Sequence, residues 1–232
     1  MSAVSWLLRV CLGLGGIVLA FVAWPVATSA FYAQQADVVV GRLRDGRPIN
    51  LPATLAAIDA LDQAVRIDPT ASRDFQRSEL LAGAAGQLEW AAADSQRIKW
   101  LETAAADLER GLARAPARGV AWLRLASVRY SLGGPSENVA VPLVISIETA
   151  PIVQRLWPAR IELIFRDWAV YSDDQRDRIG EYLAMLWRQS TDRRWIVRSM
   201  RRPEDELYLR YFLKDVPGAQ DEFMRWLASD RQ

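Results

Sequence analysis

Residues 104–122, AAADLERGLARAPARGVAW, contain the pattern on which the fold prediction depends. Ala104, Leu108 and Gly111 recur at the spacing of one helix face, and they are followed by Pro116 and Trp122. Small residues let a neighbouring helix approach closely, Leu108 fills the layer between the helices, and the proline stops the helix from continuing. The stretch therefore predicts a closely packed helix that ends at a turn.

The same spacing occurs around two further prolines. Each proline is preceded by a small or apolar residue, a leucine and a second small residue, and a large aromatic residue stands six positions after it. The two sets are Ala57, Leu61, Ala64, Pro69 and Phe75, and Val139, Leu143, Ser146, Pro151 and Trp157. Three copies in register favour an internal repeat, although chance helical periodicity is the alternative.

This pattern resembles the tetratricopeptide repeat (TPR), whose second helix carries such residues, ends at a proline and is followed by an aromatic residue. Trp122, Leu125 and Ala126 match best, whereas Tyr130 stands one place beyond the expected aromatic position. A repeat of about 34 residues is usual, so the longer interval from Pro69 to Pro116 requires longer helices or an insertion. The resemblance covers roughly residues 52–151 and implies a stack of α-hairpins that holds a peptide or helix.

Helical spacing and good helix formers continue outside the repeats, and the predicted fold class is all-α. We expect an α-solenoid of TPR-like hairpins over residues 52–190 and C-terminal capping helices over residues 191–232. Residues 33–51 contain Gly41, Gly46 and Pro48 and are predicted to form a linker with at most a short helix. The β-branched run at 139–147 contains Pro142, which argues against a central strand.

Residues 10–31 contain no charged side chain and are long enough to cross a bilayer. Residues 1–32 are therefore predicted to be a transmembrane anchor, with a cleaved signal peptide as the alternative because 27–29 are small. The signal-like N-terminus favours an exported domain, although Arg42, Arg44 and Arg47 favour the opposite orientation. With the Arg- and Ala-rich composition typical of GC-rich bacterial genomes, we expect a single-pass inner-membrane protein with a periplasmic domain.

Composition excludes several classes of function. The chain has no histidine and one cysteine, Cys11, which removes His-dependent catalysis, internal disulfides and Cys/His metal sites. A net charge of +1 gives no general attraction to nucleic acid. The carboxylates considered for acid–base chemistry, Glu89, Glu102, Glu148 and Glu162, show no pattern that would bring two together. No catalytic residue and no cofactor are predicted.

A cluster of arginines near the C-terminus is the candidate partner-binding site. On a continuous helix Arg194, Arg198 and Arg201 would share one face beside Trp195, which suits carboxylate or phosphate groups of a protein, acidic glycan or lipid headgroup. A salt-bridged face neutralised by residues 204–206 is the alternative. The tryptophans beyond residue 151 likewise admit two readings, an aromatic binding surface or packing between helices.

Two further patterns complete the predictions. Ser172 and Gln175 form a capping-box pattern, so the acidic run that begins at Asp173 predicts a helix start. Gly13, Gly15 and Gly16 would allow another transmembrane helix to pack closely. The expected function is a membrane-anchored scaffold or adaptor for a protein partner in an envelope assembly. The alternatives are a structural subunit of a membrane complex and a glycan-active helical enzyme.

Overall fold

Helices make up most of the chain in the computed structural model, which describes residues 3–88, 94–166 and 168–230. None of these residues lies in a β-strand, and the all-α prediction is confirmed for them. The α-helices are α1 Ala3–Arg44, α2 Leu51–Ile67, α3 Ala71–Gln87, α4 Asp94–Arg114, α5 Gly119–Gly133, α6 Glu137–Thr149, α7 Trp157–Arg166, α8 Asp173–Gln189, α9 Arg194–Ser199, α10 Pro203–Leu213 and α11 Ala219–Asp230. Short 3-10 turns at Gln154–Leu156 and Trp168–Val170 precede α7 and α8.

The three repeated triads lie on α2, α4 and α6, and all nine of their residues are buried. Each of these helices ends two residues before its proline, at Ile67, Arg114 and Thr149. The reason is steric, because the proline ring disfavours helical geometry in the residue before it. The structure therefore has the helix ends and buried faces that the spacing indicates.

The aromatic residues that follow the prolines make two kinds of contact. The indole Nε1 of Trp122 donates a hydrogen bond to the carbonyl oxygen of Pro116 at 2.7 Å, and that of Trp157 donates to Pro151 at 3.0 Å. Phe75 instead lies against α4, where a Cβ added to Gly111 would overlap its ring. The small residue of the α4 triad is thus required by a bulky neighbour on α3.

The helices fall into two compact units, Met1–Arg114 and Ala115–Gln232, so the boundary lies inside the expected repeat domain of residues 52–190. In the N-terminal unit α1 packs on α2, α2 on α3 and α3 on α4. In the C-terminal unit α5 packs on α6, and α7 to α11 complete the fold. Three helix pairs, α1–α2, α3–α4 and α5–α6, thus carry the three triads on their second helices.

The expected linker over residues 33–51 differs from the structure, because α1 continues unbroken to Arg44. Ala36 and Val40 are buried in this stretch, so packing holds it helical despite Gly41. Only residues 45–50 lie between α1 and α2, and Asn50 caps α2 by accepting a hydrogen bond from the Ala53 amide at 2.8 Å. The first helix pair therefore begins within the apolar helix itself.

Large side chains fill the interior of the C-terminal unit. Its core contains Trp157, Phe165, Trp168 and Trp187 together with residues of the last three helices, namely Ile196, Val197, Leu209, Leu213, Phe223 and Leu227. Trp187 and Phe223 meet edge to face with ring centroids 6.0 Å apart. The helices expected to cap the stack over residues 191–232 therefore share one core with α7 and α8.

The predicted helix start at Asp173 is confirmed. The Ser172 hydroxyl accepts a hydrogen bond from the Gln175 amide, and the Gln175 side chain accepts one from the Ser172 amide at 3.0 Å. This reciprocal capping satisfies two of the amide groups that a helix leaves unpaired at its start. It fixes the beginning of α8, which borders the candidate site described below.

Candidate functional site

Most of the exposed large apolar side chains among the described residues lie on α1. Its first part carries large apolar side chains between 54% and 82% exposed, namely Leu12, Leu14, Ile17, Val18, Leu19, Phe21, Val22, Trp24 and Val26. In the part of the chain that the structure describes, α1 is the one helix long and apolar enough to cross a bilayer, with a mean hydropathy of 1.8 over its most apolar window. Gly13, Gly15 and Gly16 lie here with open space around them.

Ser29 marks the point at which α1 changes from a free helix to a packed one. Its side chain is fully buried, and its hydroxyl donates a hydrogen bond to the carbonyl oxygen of Ala64 on α2 at 2.7 Å. Residues 12–27 are exposed, whereas Ala36 and Val40 further along are buried. The N-terminal unit therefore begins on the same continuous helix that carries the apolar surface.

Buried charges connect α2, α3 and α4 in the N-terminal unit. The Arg77 guanidinium on α3 donates to the Asp62 carboxylate on α2 and, through Nε at 2.6 Å, to the Asp107 carboxylate on α4. The Asp107 side chain is fully buried and is also paired with Arg110. The hydrogen bond to Asp107 raises the pKa of Arg77 above its ordinary value, so the guanidinium stays charged.

Asp74 is the second fully buried carboxylate of this unit. It is paired with Arg114, and its Oδ1 atom lies 3.5 Å from the Arg110 guanidinium without a hydrogen bond. Burial raises the pKa of Asp74 above its ordinary value of 3.8, against the lowering effect of the Arg110 and Arg114 charges. Because every one of these carboxylates faces arginines from neighbouring helices, we assign the cluster to helix packing.

The C-terminal unit also contains a buried arginine, but its partners are not carboxylates. The Arg160 side chain is fully buried and donates to the Ser146 hydroxyl at 2.9 Å and to the Ala150 carbonyl at 2.9 Å. It also contacts the Tyr182 hydroxyl at 3.3 Å, and burial raises the pKa of Tyr182. Arg160 thus caps the negative C-terminal end of α6.

The predicted arginine stripe does not form, because α9 ends at Ser199 and Arg201 lies beyond it. Arg201 is paired with Glu162 at 3.3 Å, and Arg194 is paired with Asp192 at 3.3 Å. The physical reason is Pro203, which forces Arg202 into an extended conformation and separates α9 from α10. Both arginines are therefore salt-bridged, but to Glu162 and Asp192 and not to the acidic residues 204–206 that the sequence suggested.

The other two members of this candidate site also have contacts within the chain. The Trp195 indole donates to the Ser190 hydroxyl at 3.0 Å. Arg198 is exposed on α9; the pKa of Asp192 is lowered mainly by its hydrogen bond from the Arg194 amide and, to a smaller extent, by the Arg198 charge. The four residues therefore lie near one another without forming one continuous surface of free charges.

The structure reveals a groove that the sequence reading missed. It encloses about 510 Å³ in the C-terminal unit, between the turn at Trp168, the first turns of α8 and one side of α10. Its lining residues are Trp168, Asp173, Arg176, Asp177, Leu207, Tyr208, Tyr211 and Phe212. A concave, mostly apolar surface with a few polar groups is the usual form of a binding site.

Aromatic rings form most of the groove wall. Trp168 stacks on Tyr208 with centroids 4.6 Å apart and lies 5.4 Å from the Phe212 ring. Leu207 and Tyr211 remain 63% and 59% exposed at the same place, although both are large apolar side chains. Helix α10 thus presents more apolar surface than its own packing uses, which is unusual outside contact sites.

Polar groups lie along one side of the groove. Arg176 is paired with Asp173 at 3.1 Å, yet its Nε atom is buried and has no hydrogen-bond acceptor. Asp177 is exposed and makes no ion pair with the described residues. The run of Leu207, Tyr208, Tyr211 and Phe212 was a sequence signal for this site, since it is wider than one buried helix face requires.

The candidate acid–base residues are not gathered in this groove. Glu148 is paired with Arg178, Glu162 with Arg166 and Arg201, and Glu102 is exposed on α4. Glu89 lies outside the described residues. Among the residues that the structure does describe, no group of three or more Asp, Glu or Cys side chains could hold a metal ion.

Comparison with known protein families, with characterised proteins and with solved structures finds no match for this chain. The geometry of the groove and of α1 is therefore the basis for the functional argument.

Proposed function

We propose that this protein is a membrane-anchored adaptor whose C-terminal unit holds a segment of a protein partner in the aromatic groove. The observation that carries the proposal is the pair of exposed apolar side chains, Leu207 and Tyr211, beside a 510 Å³ cavity. Aromatic residues in a partly enclosed site are frequent anchors of protein interfaces. Helix α1 supplies the anchor, and we place the protein in the bacterial inner membrane with a periplasmic domain.

A TPR-like architecture is part of this proposal. It is supported by the three buried triads on α2, α4 and α6, each on the second helix of a pair and each followed by a proline turn. Small residues at the helix contacts, such as Gly111 against Phe75, are what such closely packed pairs require.

Site-directed photo-crosslinking in native membranes tests the adaptor function. We expect p-benzoylphenylalanine at position 207 to give an adduct with one defined protein, and the same group at Val141, 40% exposed in the same unit, to give none. The substitution Tyr211→Glu should abolish the adduct without changing the helical circular dichroism. An adduct that is unchanged by Tyr211→Glu, or the absence of a position-specific adduct, would contradict the proposal.

A second candidate function is a structural subunit that packs on another transmembrane helix through Gly13, Gly15 and Gly16. The open space around all three glycines favours it, because a partner helix can approach closely there. Replacing the three glycines by leucine should then dissociate the native complex in blue native electrophoresis, while Tyr211→Glu should leave it intact. The adaptor function predicts the opposite result for both variants.

A further inference from the structure

We propose that the groove recognises an extended peptide segment in which a lysine or arginine stands next to an apolar residue. This inference rests on the proposed adaptor function and names the chemistry of the partner. It follows from two features of the groove, which are its apolar wall and its uncompensated carboxylate.

The apolar wall selects an apolar side chain. Leu207 and Tyr211 are largely exposed, and the cavity between them and Trp168 is large enough for one or two side chains of a partner. Burying apolar surface contributes roughly 25 cal/mol per Å². An apolar residue is therefore the anchor of the bound segment.

The charge of the groove selects a cation next to that anchor. Asp173 and Arg176 neutralise each other, which leaves Asp177 as the uncompensated charge among the lining residues. Aromatic faces also attract cations. The Lys214 ammonium already covers one face of the Tyr211 ring, with its nitrogen 4.2 Å from the ring centroid, so the carboxylate of Asp177 is the group that attracts the partner's cation.

The proposed adaptor function makes the ligand a peptide segment and not a simple amine. A peptide carries a cationic and an apolar side chain on neighbouring residues, whereas a simple amine carries the cation alone. A peptide can thus pair with Asp177 and cover the aromatic wall together.

Peptide binding to the full chain in nanodiscs tests this inference. The probes are three fluorescent nonapeptides, Gly-Ser-Pro-Leu-X-Leu-Pro-Ser-Gly, in which X is lysine, norleucine or glutamate, and the readout is fluorescence anisotropy. We expect the lysine peptide to bind at least about fivefold more tightly than the glutamate peptide. The substitution Asp177→Lys should reverse this order, whereas Asp221→Lys, on the exposed start of α11, should not.

Equal binding of the lysine and glutamate peptides, or no binding of any of the three, would overturn the inference. Failure of the inference remains distinct from failure of the adaptor function. If the adduct at position 207 persists, the groove binds a partner of different chemistry; if that adduct is also absent, the adaptor function fails as well.

A second inference is carried by α1, independently of the groove. We infer that the turn between α2 and α3, residues 68–70, lies in the headgroup layer of the bilayer. A hydrocarbon core of about 30 Å takes about 20 helical residues, and the charge-free run that begins at Val10 reaches that length at Ser29. The hydrocarbon therefore ends at the level where α2 begins to cover α1.

Two sets of contacts place the turn at this level. The Ser29–Ala64 hydrogen bond sets Ala64 beside the end of the run. Helix α2 runs antiparallel to α1, so its last turn extends about 5 Å from Ala64 towards the N-terminal end of α1. On α3, Gln76 donates to Asp37 at 2.8 Å, which puts the start of α3 near the level of Phe31. Residues 68–70 are thus level with about residues 26–31 of α1.

The chemistry of the turn suits a phosphate-rich layer. Arg66, in the last turn of α2, is exposed and makes no ion pair with the described residues, and Pro69 is exposed beside it. Arginine side chains reach lipid phosphates from helix ends near the interface. The domain is therefore held directly on the membrane surface instead of at the end of a flexible linker.

Nitroxide labelling of the full chain in nanodiscs of phosphatidylcholine and phosphatidylglycerol tests this placement, in a Cys11→Ser background. Labels replace Leu19, Pro69 and Arg47, one per variant. We expect oxygen to relax the label at 19 most, a nickel chelate to relax the label at 47 most, and the label at 69 to be intermediate. If 69 and 47 are equally accessible to nickel while 19 is not, the inference fails but the anchor stands. Nickel access at 19 would overturn the anchor itself.

Discussion

The two units of this protein differ in the side chains that form their helix interfaces. In the N-terminal unit the helices approach through alanines and Gly111, and buried arginine–aspartate pairs connect α2, α3 and α4. In the C-terminal unit the interior holds Trp157, Trp168, Trp187 and Phe223, and the buried Arg160 has hydroxyl and carbonyl partners.

The difference shows that side-chain size decides what can join two helices. Where the facing residues are small, each contact buries less apolar surface, and buried charge pairs such as Arg77–Asp107 help to join the helices. Where the faces carry large rings, burial itself supplies the stability. The N-terminal unit should therefore be sensitive to lost ion pairs and added methyl groups, and the C-terminal unit to lost aromatic volume.

The largest effect is expected from Trp187→Ala in the C-terminal unit. Trp187 is 1% exposed, and removing such a side chain costs about 3–5 kcal/mol of the free energy of unfolding because a cavity remains. Hydrogen exchange of α8 and α11, followed by mass spectrometry, should speed up accordingly. Met224→Ala, at a 43% exposed position on α11, is the control and should change exchange little. Equal effects would show that the aromatic core is not the source of stability.

A smaller loss is expected from Asp107→Asn in the N-terminal unit. The substitution weakens the hydrogen bonds of the Arg77 guanidinium, only 15% exposed, to its buried partner while Asp62 stays paired with it, and we expect a cost of about 2 kcal/mol. Asp62→Asn removes the other partner of Arg77, a 37% exposed carboxylate, and should cost less than about 1 kcal/mol. Hydrogen-exchange rates of α3 and α4 measure the cost of both substitutions. The reverse ranking would mean that the network does not depend on its buried member.

Two glycines of the N-terminal unit should respond to alanine with opposite signs. A Cβ at Gly111 would overlap Phe75, so Gly111→Ala should destabilise the unit by about 1–2 kcal/mol. Gly86 on α3 has open space, and Gly86→Ala should stabilise by about 0.5–1 kcal/mol through the unfolded chain. Chemical denaturation of both variants measures the two changes. A loss of the same size at Gly86 would show that helix spacing is not the cause.

The smallest effect on stability is expected from the protonation of Asp74 as the pH falls. Burial raises the pKa of Asp74 above 3.8 in the folded state, so its carboxyl group takes up a proton there before it does in the unfolded chain. The stability contributed by this group is therefore complete below pH 3.8 and is lost as the pH rises through the raised pKa. Thermal unfolding of the wild type and of Asp74→Asn between pH 7 and 4 should show the wild type gaining relative to the variant on acidification. A difference in stability between the wild type and Asp74→Asn that stays constant with pH would contradict the raised pKa of Asp74.

Much of the local structure follows from the sequence because its causes are local. Pro69, Pro116 and Pro151 each act on the residue before them, so the ends of α2, α4 and α6 were predictable. The capping box at Ser172 acts within one turn, so the start of α8 was predictable too. A linker was expected over residues 33–51 from their glycine and proline content, yet 33–44 are helical. Their helicity depends on burial against α2, which local composition does not reveal.

At the candidate site, too, the local features were visible in the sequence and the long-range contacts were not. The aromatic content of α10 was visible in the sequence, but its contact with Trp168 and with the first turns of α8 joins residues about 40 positions apart. The arginine stripe was broken locally by Pro203, but the pairing of Arg201 with Glu162 joins residues 39 positions apart and was not visible in local spacing. Periodicity describes one helix and does not identify the neighbour against which it packs.

The sequence by itself determined the helical class, the buried triads, the turns at the prolines and an apolar run long enough to cross a membrane. Each of these depends on sterics and hydropathy within a few residues. The tertiary structure alone decided that α1 continues from the apolar run into the first helix pair at Ser29, and that Leu207 and Tyr211 stay exposed beside a groove. These features depend on which surfaces meet, which is set by packing over the whole of each unit.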